Sequence, residues 1–88
     1  MKELFEIYEI CNLVLGSVDL MDLIEITQNE DEYKVEANII AEYIYDNNPN
    51  KESLASYIRD VFEEYFDTIF DMEYMILTAD CMLKNLGD

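Results

Sequence analysis

An all-α fold, built as a single small bundle of four or five short helices, is what this 88-residue sequence predicts. Three observations predict it. Apolar residues recur at helical spacing along most of the chain, and acidic residues fall on the opposite arcs. Only two Gly and one Pro interrupt the pattern. Hydrophobic residues make up 51% of the sequence, enough to exclude a disordered acidic tail, which lacks the apolar surface to collapse. A chain this short hides roughly 60–65% of its unfolded surface, so residues 1–88 read as one domain with thin margins. An α+β alternative pairs a short antiparallel sheet from residues 20–46 and 68–78.

The first helix runs from Glu3 to Leu15. Glu3, Glu6, Glu9 and Asn12 recur every third residue, while Leu4, Ile7, Tyr8, Cys11, Val14 and Leu15 fill the other side. Gly16 is expected to end it and Ser17 to cap the next element. Val18–Thr27 repeats the pattern, with Asp19, Asp22 and Glu25 three apart. A short helix fits, although the β-branched residues near its end also suit a strand over Leu23–Thr27. The polar run Gln28–Glu32 reads as a loop or a helix start.

Tyr33–Tyr45 fits two templates. With period two, Val35, Ala37, Ile39, Ala41, Tyr43 and Tyr45 share a face. With period 3.6, Ala37, Ile39, Ile40, Ala41, Tyr43 and Ile44 form one arc and only Val35 and Tyr45 are stranded. The helix leaves less apolar surface unpaired, and the segment is long for a strand. Asp46–Asn50 breaks it, with Asn48 expected as N-cap and Pro49 as the first helical residue. From Asn50 to Phe66, Leu54, Ala55, Ile58, Val61, Phe62, Tyr65 and Phe66 point inward. Asp67–Leu86 has no breaker, and its apolar residues wrap more than one face. A helix packed on two sides fits, with a buried strand over Phe70–Thr78 as the alternative. The expected core includes Leu4, Ile7, Cys11, Ile39, Tyr43, Leu54, Ile58, Phe62, Tyr65 and Ile76.

Chemistry is limited by what is missing. The sequence holds no His and no Trp. That removes imidazole acid–base catalysis, His-activated nucleophiles and His metal ligands. Carboxylate pairs abound, but they fall on polar arcs, where solvent keeps their environments alike, so no catalytic residue is expected. Asp46, Asn48 and Asn50 alternate as at the start of a calcium loop. Lys51 then stands where Gly is needed and Tyr57 where a bidentate Glu is needed, so no metal site is expected. Glu30–Glu32 offers at most weak, unspecific cation binding. No cofactor is implied. Cys11 and Cys81 read as reduced thiols packed in a core. Glu3, Glu6 and Glu9 interrupt the N-terminal apolar run, no stretch reaches the ~20 apolar residues of a membrane span, and a cytoplasmic location is expected.

Charge is the informative feature. Asp and Glu number 21 against 5 Lys and Arg, a formal net charge of −16. Direct binding to nucleic acid or an anionic membrane is disfavoured, because each phosphate meets net repulsion. Surface helices normally interleave Glu with Lys, yet here like charges neighbour each other at Glu3/Glu6, Asp19/Asp22, Asp60/Glu63/Glu64 and Asp67/Asp71. Each such pair destabilises its helix by a few tenths of a kcal/mol. A chain that tolerates this repulsion is keeping a negative field for use, unless it merely shares the acidic composition of a halophile's proteins.

The expected partner is a basic protein, and the expected function is inhibition by binding. An immunity protein or antitoxin that covers a nuclease toxin fits first. A phage anti-defence protein, such as an anti-CRISPR or DNA mimic that blocks a nucleic-acid-binding effector, fits second. A non-catalytic adaptor or oligomeric subunit, such as a homodimer, is the reading from a different class. The expected binding face combines Glu30, Asp31, Glu32, Tyr33 and Glu36 with Asp60, Glu63, Glu64, Asp67 and Asp71, the densest acid clusters, each near a Tyr. Next in line is the Glu3/Glu6/Glu9 stripe with Asp19/Asp22/Glu25.

Overall fold

The computed structural model describes residues 2–19, 28 and 32–87. These form four helices and no strand: α1 (Leu4–Val18), α2 (Lys34–Asn47), α3 (Lys51–Phe66) and α4 (Met72–Asn85). The fold is an all-α bundle, as expected. Residues 34–46 and 72–78 are helical, which removes both segments of the alternative sheet that lie among the described residues. The second predicted helix lies outside them apart from Val18 and Asp19.

Two pairings dominate, α1 on α2 and α3 on α4, and the pairs meet through α1 against α4 and α2 against α3. The core between them is Ile7, Cys11, Val14 and Leu15 of α1, with Ala37, Ile40, Ala41 and Ile44 of α2. Leu54, Ala55, Ile58, Val61 and Phe62 come from α3, and Met75, Ala79 and Met82 from α4. Small residues at Ala37, Ala41, Ala55 and Ala79 let backbones approach, while Phe62 fills the space near the α3–α4 corner. Phe62 meets Phe66 at 5.3 Å and Phe70 edge-on at 5.9 Å.

Several boundaries differ from expectation, each for a local reason. Gly16 does not end α1. The buried pair Val14 and Leu15 carries the helix on to Val18, at the roughly 1 kcal/mol cost of an internal Gly. Asp19 terminates it instead in the left-handed region (φ 48°), donating its N–H to Leu15 O at 2.8 Å. Asn48 is the C-cap of α2 rather than the N-cap of α3. It adopts φ 44°, a conformation Asn tolerates, and donates to Ile44 O. Asn50 is the N-cap of α3, its side chain accepting from Ser53 N–H at 2.8 Å. Pro49 therefore lies between two helices, not inside one. Asp67 ends α3 as a third left-handed cap, at φ 53°.

The expected core needs correction at its edges. Leu4 is exposed and Tyr65 is 49% exposed, while Ile39, Tyr43 and Ile76 are half-buried. Tyr33, Met75 and Met82 are buried in their place. Cys11 is buried as expected, and burial pushes its thiol up to about 12. Cys81, however, is exposed on α4.

Candidate functional site

The two halves of the expected binding face differ in exposure. Glu30 and Asp31 lie outside the described residues, and Glu32 is half-buried. Tyr33 is not a rim residue. It is fully buried, its ring set against Phe62 (5.9 Å) and Phe66 (6.3 Å, edge-on). Its hydroxyl donates to Asp19 Oδ1 at 2.6 Å, tying the end of α1 to the start of α2. Glu36, one turn on, also points inward and is 5% exposed. Its Oε1 has no hydrogen-bond partner among the described residues, and desolvation raises its pKa, partly offset by a hydrogen bond from its own backbone N–H. Both side chains face the interior rather than the exposed rim the sequence led us to expect.

The second half is a surface. Asp60, Glu63, Glu64, Asp67 and Asp71 are all exposed. Tyr65 and Ile69 are exposed within the same stretch of chain, Ile69 at 69%, and Tyr74 and Leu77 are exposed on α4 just after it. Helical spacing explains the α3 part: Val61 and Phe62 face in, which turns Asp60, Glu63 and Glu64 out. The corner thus presents carboxylates with large apolar side chains among them.

A feature of the α2–α3 face extends this surface. Tyr43 and Tyr57 stack nearly parallel, ring centroids 3.9 Å apart at 5°. Burial raises the Tyr57 phenol's pKa first, and the nearby groups Tyr43, Glu42, Glu64 and Tyr65 push it further. Glu42 and Glu64 therefore flank the tyrosine pair, joining α2 to the acidic side of α3. Glu42 is absent from the residues expected on sequence grounds. The available signal is the Glu-Tyr step on α2 facing the Tyr57/Asp60/Glu64 stripe on α3, which only the α2–α3 packing brings together.

This negative surface is largely uncompensated. Among the described residues the ion pairs are Lys2–Glu6 at 4.0 Å and Lys84–Asp80 at 3.0 Å. Neither involves Glu42, Asp60, Glu63, Glu64, Asp67 or Asp71. Exposed aromatic faces and flanking carboxylates together suit a Lys or Arg side chain, through cation–π attraction and charge-assisted hydrogen bonds.

A third surface lies between α1 and α2. It is an open groove of about 810 Å³ with Leu4, Phe5, Tyr8, Val35 and Ile39 as its apolar lining, and Lys34 and Asn38 at its α2 side. Phe5 and Tyr8 stack along its α1 wall at 6.4 Å. No group of three His, Cys, Asp or Glu side chains among the described residues is arranged to hold a metal ion. No described helix is long and apolar enough to cross a membrane. The chain matches no family model, no curated protein and no solved structure.

Proposed function

We propose that this protein is a small acidic inhibitor that works by binding a basic protein, with neutralisation of a nuclease toxin by an immunity protein or antitoxin as the leading setting. One observation carries the reading. Asp60, Glu63, Glu64, Asp67 and Asp71 are exposed in the stretch of chain that also exposes Tyr65, and none of them takes part in an ion pair among the described residues. Such a field steers a cationic partner into encounter, and aromatic side chains within it supply contact area once water is expelled. A toxin's nucleic-acid site is basic by necessity, so a surface of this sign competes with its substrate. The phage anti-defence setting uses the same surface, with carboxylates standing in for phosphates.

The test is a cleavage assay with any basic nuclease that a neighbouring gene encodes. Stoichiometric protein should stop cleavage, and association should slow steeply as salt rises. A nuclease that goes on cutting while the protein is bound would sink the inhibitor reading. The exposed apolar side chains Leu13, Ile69 and Leu77 favour a second reading, a non-catalytic adaptor or oligomeric subunit. Sedimentation separates them: a stable dimer indifferent to basic proteins supports the adaptor.

A further inference from the structure

We infer that the α1–α2 groove docks an amphipathic, cationic helix belonging to the basic partner, an inference that rests on the inhibitor reading and gives it a specific point of contact. Most of the groove's lining is apolar. Phe5 is 68% exposed and Val35 57% exposed, although both belong to helices that bury ample apolar surface elsewhere. Val35, Ile39, Glu42, Tyr43 and Asp46 follow one another at helical spacing along a single face of α2. The apolar floor at Val35 and Ile39 therefore leads into the carboxylates of Glu42 and Asp46 and the stacked Tyr43–Tyr57 pair.

That gradient selects the occupant. A second copy of this chain carries a net charge of −16 like the first and is repelled. An anionic lipid surface is repelled for the same reason. A helix with apolar residues at i, i+3 and i+4 fills the floor, and its Lys or Arg residues reach Glu42 and Asp46. Lys34 lines the groove at the start of α2 and sets the direction, with the cationic end of the guest toward Asp46 and away from Lys34. The α2 face from Val35 to Asp46 rises about 17 Å, room for about three helical turns.

The probe is a fluorescent Leu/Lys peptide of about 18 residues with helical amphipathic spacing, set against a scrambled isomer of identical composition. Anisotropy at low ionic strength should show the amphipathic peptide binding at least about tenfold more tightly than its isomer. Phe5→Asp and Val35→Asp should each weaken it by about tenfold. The sign is decisive, because either substitution adds negative charge and would strengthen a purely electrostatic complex. Both positions are exposed, so each variant should fold, which circular dichroism checks. If the variants bind as tightly as the parent or more so, the groove is not the docking site, while the acidic inhibitor reading stands. If neither peptide binds the parent, the docking inference falls, and the inhibitor reading is decided by the cleavage assay alone. A parent dimer that Phe5→Asp dissociates also overturns the inference, since the occupant is then a second copy.

Discussion

Two stretches of this chain look alike as sequence and do opposite things in the fold. Glu32-Tyr33 with Glu36, and Glu63-Glu64-Tyr65 with Asp67, each place a tyrosine among acids beside a helix end. Tyr33 is fully buried and holds Asp19, whereas Tyr65 is half exposed with its neighbouring acids in water. The difference is angular. Tyr33 precedes Ala37 by one turn and Ile40 by two, and so shares the inward face of α2. Tyr65 stands next to Phe66 at the last turn of α3, where Val61 and Phe62 have already taken the core positions. Charge density marks where a surface can be. The register of the helix decides whether it is one.

The largest effect should come from truncating the buried tyrosine. Tyr33→Ala removes a fully buried ring and the hydrogen bond to Asp19, and should cost about 3–5 kcal/mol in a urea melt. Tyr65→Ala should cost less than about 1 kcal/mol. Equal losses would mean that the two stretches are not distinct. A sharper version is Tyr33→Phe, which keeps the ring and loses only the 2.6 Å bond to a carboxylate, for an expected cost of about 1.5–3 kcal/mol.

A pH series separates the acids. Glu36 has a folded-state pKa raised by desolvation. Its protonated form is favoured in the fold, so its contribution is fullest below its unfolded value near 4.5 and is lost as pH rises through the folded value. Glu36→Gln should therefore raise Tm at neutral pH and change it little in acid. An equal effect at both pH values would show that the carboxylate is not desolvated. The smallest expected effect is collective: added salt should raise Tm modestly by screening the exposed acids, and charge reversal at Glu63, Glu64 and Asp67 together should flatten that rise. A Tm that falls with salt would mean these acids are well paired.

Much of the bundle is legible in the sequence. Three-residue acid spacing marks α1, and the choice of period 3.6 for Tyr33–Tyr45 rests on stranding only Val35 and Tyr45, the two large apolar residues that α2 does expose. What periodicity cannot resolve is competition between equivalent signals. Asn48, Pro49 and Asn50 are all good helix-start residues. Only the geometry of α2's end, which takes Asn48 into a left-handed turn, leaves the cap to Asn50. The same limit hides the inward turn of Glu36, because a carboxylate on an apolar arc reads as an edge residue. It also hides the Tyr43–Tyr57 stack, which depends on how two helices pack.

The left-handed caps have a consequence beyond ending their helices. Neither α1, α2 nor α3 carries a basic residue in its last turn, and α1 and α3 stop at Asp19 and Asp67. Cations normally gather at a helix C-terminus, where aligned peptide dipoles amount to roughly half a negative charge. Here no basic residue of the last turn offsets that end, so the α3 main chain adds its own partial charge to the Asp67 corner. Amidating every carboxylate there would leave this contribution in place, because it belongs to the polypeptide backbone.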